Sequence, residues 1–488
     1  MDKQKIIFRA DGNSKIGLGH ISRCLALAEI LSKNYYISFA LQDPDQCLLK
    51  TIKKAAHETI TLKQADATDL GFLKELEPYL TGEEIIVLDG YSFNLLYEQG
   101  LKKSIRAVVC IDDIPSRHFA SDLIFNFCGA LSGNDYSREF YTQVFAGLEF
   151  VFLRLPFLRK PLENRKYNNR LFLNMGGADL NNNTLRILNE LISQHYSGEI
   201  EVVIGNNYPY VDSLDAIYEK RDSIRVHQGL SAVEMYDSMN RCTLAIVPPS
   251  TVALEFLSTG GLTFLHQTAS NQALQMKYLI QSNLAFDYSD FKSIILNDPE
   301  PFFQRSTSLQ KKVFDGSSIA RVEKIFNNLC LSLQLSMRRA VPNDMRQCFE
   351  WANDPDARKY SYSSTPITWE QHVQWFGRKL ADSNCYYFIA DIGNSNAGQI
   401  RFDFLEDENA FQISYALDPQ WRGKGLGYYL LIKGIQELNL LTPVKRIIGY
   451  VHEINSASVK AFQKAGFEKR LSKKYPNSFK FELSLIAI

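Results

Sequence analysis

The sequence predicts an α/β chain of two doubly wound halves followed by a smaller α+β unit, and three observations predict it. Short β-rich runs alternate with helical patterns through roughly the first 330 residues, which implies parallel sheets covered by helices on both faces. The alternation restarts near Arg170, so this region divides in two. Beyond about residue 335, strand patterns follow one another with only turn signals between them, which reads as an antiparallel meander. At 488 residues the chain exceeds one ordinary domain. The expected spans are 1–155, 156–328 and 335–488.

In the first half, Lys5–Gly12 (KIIFRADG) reads as a strand and Ile21–Lys33 as an amphipathic helix. Tyr35–Leu41, Glu83–Tyr91, Arg106–Asp113 and Asp122–Phe127 read as further strands. Val151–Arg170, with two prolines and a basic cluster, reads as the joint. In the second half Arg170–Gly177, Ile200–Asn207 and Cys242–Ser250 each run into glycine, proline or asparagine, and Asn183–Gln194 and Val252–Gly260 are helical. Two such halves would hold a ligand at the carboxyl ends of their strands, in the cleft between them. In the last unit Tyr386–Gly393, Ala397–Glu406 and Asn409–Asp418 form the meander. Helix Gly425–Leu438, strand Lys445–Asn455 and helix Ser456–Phe467 follow.

Hydrophobic residues make up 45% of the chain and charged residues 22%, the balance of a globular protein. Lys+Arg and Asp+Glu stand at 54 each, so no excess of positive charge invites nucleic acid or an anionic membrane. The eight cysteines are scattered, without C-x-x-C or zinc spacing, and read as reduced thiols of a cytoplasmic protein. No run approaches the roughly 20 apolar residues of a membrane helix. No carboxylates or histidines cluster at ligand spacing, so no metal is expected.

The strongest single signal is DPQWRGKGLGYYL, Asp418–Leu430. A strand ends, a glycine-rich loop opens and a helix starts at once, so backbone N–H groups and the helix dipole form a cradle for a pyrophosphate. A plain strand–helix turn would also fit this loop alone. Further on, His452–Phe467 carries N-x-x-S and a closing Gly-Phe. Together Arg422, Gly425, Gly427, Asn455, Ser458, Gly466 and Phe467 resemble the signature of the GNAT acetyltransferases. The resemblance implies acetyl-CoA as cosubstrate, held by Arg422, Gly423, Lys424, Gly425, Leu426 and Gly427 with Asn455 and Ser458. One departure stands out. Many members of that family carry a tyrosine seven residues after the asparagine, and here the position is Phe462. That leaves the proton donor to the departing thiolate open among Tyr428, Tyr450 and water. His452 and Glu453 are candidates for deprotonating the amine, or simply polar residues at a strand end.

Near the amino end, IGLGHISRCLALAE places His20 between a glycine turn and an apolar helix. A histidine there can cap the helix, bind a phosphate or act as a base. Arg9–Ala28, with Arg9, Asp11, Gly17, Gly19, His20 and Arg23, resembles the start of the nucleotide-sugar hydrolases of pseudaminic acid synthesis, relatives of the GT-B glycosyltransferases. The resemblance continues in order through Val87–Tyr91, Asp112–Asp113, Leu173–Thr184, Pro248–Gly260 and Ala269–Gln272. It implies a GT-B-like pair of Rossmann-type domains that hydrolyses a UDP-linked diacetamido sugar, with His20 as the base that activates water. A neutral imidazole can do this, and such catalysis is typically worth about 10²–10⁴-fold. The resemblance places Gly17, Gly19 and Arg23 against the UDP-sugar, and departing UDP would be met by N–H groups at helix starts near Gly176-Gly177 and Ser250-Thr251. Glu255 would take the ribose hydroxyls, unless it is only favoured by the helix dipole. Tyr91 and Asp11 are candidates for sugar contact and water placement, although Asp11 could equally fix the glycine loop. Asn271 and Gln272 are candidates for phosphate or sugar.

These resemblances fit one another. An amine is acetylated at one site, and the acetylated nucleotide sugar is hydrolysed at the other. The partners expected are small molecules, a nucleotide sugar and acetyl-CoA. The rival reading is a glycosyltransferase of the same fold fused to an acetyltransferase acting on another amino sugar.

Overall fold

The computed structural model describes residues 3–12, 19–63, 74–161, 163, 165–218, 221–362 and 365–485. It divides into two compact units, Met1–Glu323 and Lys324–Ile488. Among the described residues unit 1 holds two large parallel sheets and a two-stranded one, and unit 2 a mostly antiparallel one.

The first sheet has seven strands: β1 (Lys5–Ala10), β2 (Tyr36–Gln42), β3 (Glu58–Leu62), β4 (Ile85–Asp89), β5 (Ala107–Ile111), β7 (Leu123–Asn126) and β9 (Gln143–Ala146). Its order is β3-β2-β1-β4-β5-β7-β9, with β6 (His118–Phe119) and β8 (Ser137–Arg138) pairing separately. β4 and β5 are buried along their whole length, because helices cover both faces of such a sheet. Helices α1 (Gly19–Leu31), α2 (Gln46–Ala55) and α3 (Leu95–Lys102) provide the crossovers. The chain first grows outward from β1 and then returns to β4 on its other side, so the strand order reverses between β1 and β4.

The second sheet repeats the plan. It contains β10 (Leu171–Leu173), β11 (Ile200–Ile204), β12 (Ile224–Gln228), β13 (Leu244–Val247), β14 (Leu262–Leu265) and β15 (Phe286–Asp287), in the order β12-β11-β10-β13-β14-β15. Its reversal lies between β10 and β13. Helices α4 (Asn183–Ser193), α5 (Val211–Tyr218), α6 (Ala232–Arg241), α7 (Thr251–Thr259) and α8 (Ala273–Gln281) surround it, followed by α9 (Phe291–Asn297), α10 (Pro299–Val313) and α11 (Ser318–Leu333). In this type of sheet, ligands bind at the carboxyl ends of the strands where the order reverses. Arg165, just before this sheet, donates to the carbonyls of Met239, Asn240, Cys242, Thr259 and Gly260. It thereby caps the carboxyl ends of α6 and α7 together.

Unit 2 carries β16 (Leu335–Arg339), β17 (Cys385–Ile392), β18 (Ser395–Leu405), β19 (Ala410–Leu417), β20 (Arg446–His452), β21 (Glu468–Leu471) and β22 (Ser478–Ser484). Only β19 and β20 run parallel, and they pair only from Phe411↔Ile447 to Ile413↔Gly449. β19 continues alongside β18 to Leu417 and β20 continues alongside β22 to His452. The two strands therefore part beyond Ile413 and Gly449 and leave a notch. Its helices are α12 (Met345–Asn353), α13 (Trp369–Ala381), α14 (Leu426–Leu441) and α15 (Ser456–Lys464), with a short turn of helix at Pro355–Arg358. The mixed α/β architecture with an α+β carboxyl unit is the one expected. Among the described residues no helix is long and apolar enough to cross a membrane, and seven cysteines are free thiols.

Candidate functional site

In unit 1, the register Ala10↔Asp89 brings the ends of β1 and β4 together at the reversal of the first sheet. The link from β1 to α1 includes Gly17, which lies outside the described residues. Gly19 opens α1 on the exposed side, and His20 follows it, half-buried.

The His20 Nδ1 lies 2.6 Å from Oδ1 of Asp89, whose side chain is fully buried. An ionised carboxylate only accepts, so in a neutral imidazole this contact puts the proton on Nδ1 and leaves the lone pair on Nε2. Arg23, one turn along α1, donates to both oxygens of Asp89, through Nε at 2.5 Å and Nη2 at 2.7 Å. Its Nη2 also lies 3.0 Å from His20 Nδ1, a contact between two N–H groups once Nδ1 is protonated. The third arm of Arg23 donates to Asp113 at the end of β5. Burial alone would lower the Arg23 pKa, but the two carboxylates outweigh it and raise it well above the ordinary value. Burial would likewise raise Asp113; Arg23 and the Tyr91 hydroxyl reverse that and lower it.

Tyr91 stands at the rim, 60% exposed, with its ring edge-on to His20 at a centroid distance of 5.0 Å. Its hydroxyl donates to Asp113 at 3.1 Å and accepts from the Asn271 side chain at 3.2 Å. Asn271 belongs to the second sheet's half of the unit, so this chain of hydrogen bonds crosses from one half to the other. The structure thus gathers His20, Arg23, Tyr91 and Asn271 around two residues that sequence reasoning met only inside motifs, Asp89 and Asp113. Their signal was position: each is an acidic residue at the carboxyl end of a buried strand.

The other expected residues take different positions. Asp11 accepts from Arg9 at 2.6 Å and from the Gln42 backbone at 2.9 Å, tying the ends of β1 and β2. Gln272 accepts from the backbone of Thr268 and Ala269 and closes its own turn. Glu255 is buried and forms two 2.6 Å hydrogen bonds with Arg154, so both its oxygens are engaged. Gly176 and Gly177 follow β10, and Ser250 and Thr251 follow β13, so both loops leave the reversal of the second sheet. Gly176 has φ +95° and open space where a side chain would stand. The Gly176-Gly177 loop does not start a helix, contrary to expectation. α4 begins at Asn183, and Asp179 already accepts from the N–H groups of Asn183 and Thr184. Ser250 caps α7 without a side-chain hydrogen bond, which leaves the first N–H groups of α7 for an anion.

In unit 2, the loop after β19 is fixed at both ends. Asp418 accepts from the Trp351 indole at 2.8 Å. Arg422 pairs with Asp354 at 2.6 Å and donates to the Leu417 carbonyl at 3.0 Å. Gly423 and Gly425 both have φ +75°, and Gly425 starts α14 with no side-chain cap. A side chain at Gly425 would also run into Asn328 at 2.7 Å. Lys424 lies over the Trp421 ring, and Leu426 is buried. Next to Gly427, the Tyr415 hydroxyl meets Ser458 Oγ at 2.9 Å, and Asn455 caps α15 by accepting from the Ser458 N–H at 3.1 Å. Phe462 fills the core against Phe481 and Gly449 and offers no proton. Tyr450 donates to Glu408 at 3.3 Å, while burial pushes its pKa up to about 12. Tyr428 is buried in α14. His452 ends β20 and Glu453 follows it. Among the described residues no group of side chains could hold a metal ion.

Residues 334–468 match the family model of the acetyltransferase (GNAT) domain. An uncharacterized protein of Methanocaldococcus jannaschii, MJ1062, is 24% identical over 99% of this chain and 100% of its own. A UDP-2,4-diacetamido-2,4,6-trideoxy-beta-L-altropyranose hydrolase of Campylobacter jejuni is 26% identical over 52% of this chain and 88% of its own. A solved domain from Methanocaldococcus jannaschii, 22% identical, covers 31% of this chain and 98% of its own, with a TM-score of 0.28. The chain therefore joins a region similar to a UDP-sugar hydrolase to an acetyltransferase (GNAT) domain.

Proposed function

We propose that the chain catalyses two consecutive steps of pseudaminic acid synthesis. Unit 2 acetylates the 4-amine of UDP-4-amino-4,6-dideoxy-N-acetyl-beta-L-altrosamine. Unit 1 then hydrolyses the UDP-2,4-diacetamido-2,4,6-trideoxy-beta-L-altropyranose so formed. The observation that carries the second step is the His20–Asp89 pair at the reversal of the first sheet, which directs a basic Nε2 away from the carboxylate.

Water loses its proton to that nitrogen as its oxygen bonds to the anomeric carbon. The bond from that carbon to the β-phosphate oxygen breaks, and UDP leaves. Arg23 is committed to Asp89 and Asp113, so it positions the base rather than binding phosphate. The uncapped start of α7 beside the Gly176-Gly177 loop suits the departing diphosphate. Tyr91 and Asn271 meet at the cleft mouth, where they can contact the sugar. Asp11 ties β1 to β2, and Glu255 is held by Arg154.

In unit 2 the backbone from Arg422 to Gly427, with two left-handed glycines and an uncapped helix start, suits the pyrophosphate of acetyl-CoA. The unprotonated amine attacks the thioester carbonyl, and the CoA thiolate leaves and is protonated. Incubating the chain with the diacetamido UDP-sugar alone, followed by phosphorus NMR, tests the hydrolase step. Release of UDP is expected, and an unchanged substrate would overturn it.

A further inference from the structure

Three tyrosines from separate elements of unit 2 converge beside the notch between β19 and β20. Tyr450 is the first residue of β20 past its last partner on β19. Its neighbour Gly449 faces α15, since a side chain there would strike Phe462 at 2.7 Å. Successive strand residues face opposite sides, so Tyr450 faces the side away from α15. There its ring meets Tyr475, from the β21–β22 turn, edge-on at 5.1 Å. Tyr475 in turn stacks on Tyr362, which precedes α13, with centroids 3.8 Å apart and planes 10° from parallel. Tyr362 keeps 45% of its surface exposed.

Lys474 borders this stack, and Lys473 precedes it in the chain. Lys473 and Lys474 are exposed, and the Lys474 ammonium lies 5.5 Å from the Tyr450 ring centre and 5.6 Å from that of Tyr475. Among the described residues the carboxylate that touches the group is Glu408, which already pairs with Lys480 and Arg446. The side of the notch opposite the glycine-rich loop therefore presents flat aromatic surface next to uncompensated positive charge.

We infer that Tyr362 and Tyr475, with Lys473 and Lys474, form a second nucleotide subsite, in which the base of a nucleoside diphosphate stacks on the outer face of Tyr362 while the lysines meet its phosphates. The inference rests on the acetyltransferase reading and deepens it. The amine acceptor is held by its nucleotide end on the face away from α15, so its sugar end reaches the notch. Aromatic faces suit a base of any identity, and ammonium groups suit phosphate.

The full chain tests this with two readouts. In the first, thiol release from acetyl-CoA is followed with the UDP-linked amino sugar and with the same sugar lacking UDP. Tyr475→Leu and Tyr362→Leu should reduce the preference in kcat/KM for the UDP-linked acceptor by about 10- to 100-fold, whereas Tyr475→Phe, which still stacks, should retain it. An unchanged preference in the leucine variants overturns the inference. In the second readout, calorimetry with UDP alone should show one fewer nucleotide bound per chain in Tyr475→Leu. An equal number overturns the subsite whether or not any acetylation occurs. A wild type that releases no thiol with either acceptor, yet still loses one UDP in the variant, would overturn the acetyltransferase reading and support the subsite.

Discussion

Replacing Asp89 by Asn tests how unit 1 sets its base. The carboxylate accepts from His20 Nδ1 at 2.6 Å and twice from Arg23. The amide has one accepting oxygen; where it takes the Oδ2 place and keeps the Arg23 Nε bond, its NH₂ takes the Oδ1 place and faces both the imidazole and Arg23 Nη2. His20 Nδ1 must then accept, the ring proton moves to Nε2, and no lone pair remains there to take a proton from water. The loss should approach the full value of a general base, about 10²–10⁴-fold in kcat, or about 3–5 kcal/mol of barrier. Arg23 keeps its pair with Asp113, which limits the structural damage, and thiol release by unit 2 in the same sample reports on the integrity of the chain. The assay is UDP release from the diacetamido UDP-sugar. A kcat within about threefold of wild type, well short of the general-base range, would refute the tautomer argument.

Three further outcomes follow from the geometry. Asp112 accepts from Tyr136 at 3.0 Å, and burial raises its pKa to about 6, with Asp113 adding to the effect. A raised carboxyl pKa means the folded chain holds this proton where the unfolded chain has released it, so stability falls as pH rises from about 4 to about 6 and then levels off. Asp112→Asn should therefore stabilise unit 1 by about 1–3 kcal/mol at pH 7.5 and by little at pH 4 in urea titrations; equal effects at both pH values would contradict this. Arg165→Met leaves the carbonyls at the ends of α6 and α7 without their donor and should cost about 3 kcal/mol of unit 1 stability, read as a lowered urea midpoint. Gly425→Ala must hold a side chain at φ +75° and against Asn328; it should raise the KM for acetyl-CoA about tenfold or more by displacing the loop, and an unchanged KM would remove that loop from the cofactor site.

The sequence announced the elements whose pattern is local. The buried runs of β1, β4, β5, β11 and β13 end at glycine, proline or acidic residues, so both the strands and their functional ends could be read. β12 escaped because it is only partly buried and its residues IRVHQ do not alternate cleanly. β14 escaped because its four residues follow α7 after only two glycines. α4 begins at Asn183 as its periodicity predicts, but the Gly176-Gly177 loop does not reach a helix start, because Asp179 and Asn182, left-handed at φ +51°, build a separate cap after the glycines. Pairings distant in the chain left no trace at all. His20 and Asp89 are 69 residues apart, and nothing in a linear reading joins Arg154 to Glu255 or Tyr362 to Tyr475.

The most direct test of the two-step account is a single reaction followed by proton NMR, with acetyl-CoA and the UDP-4-amino sugar as the only substrates. Wild type should yield the free diacetamido sugar, and His20→Ala should stop at the acetylated UDP-sugar. Free diacetamido sugar from His20→Ala at the wild-type rate would contradict the role given to that histidine. A wild type that accumulates the acetylated nucleotide without releasing UDP would contradict the hydrolase itself.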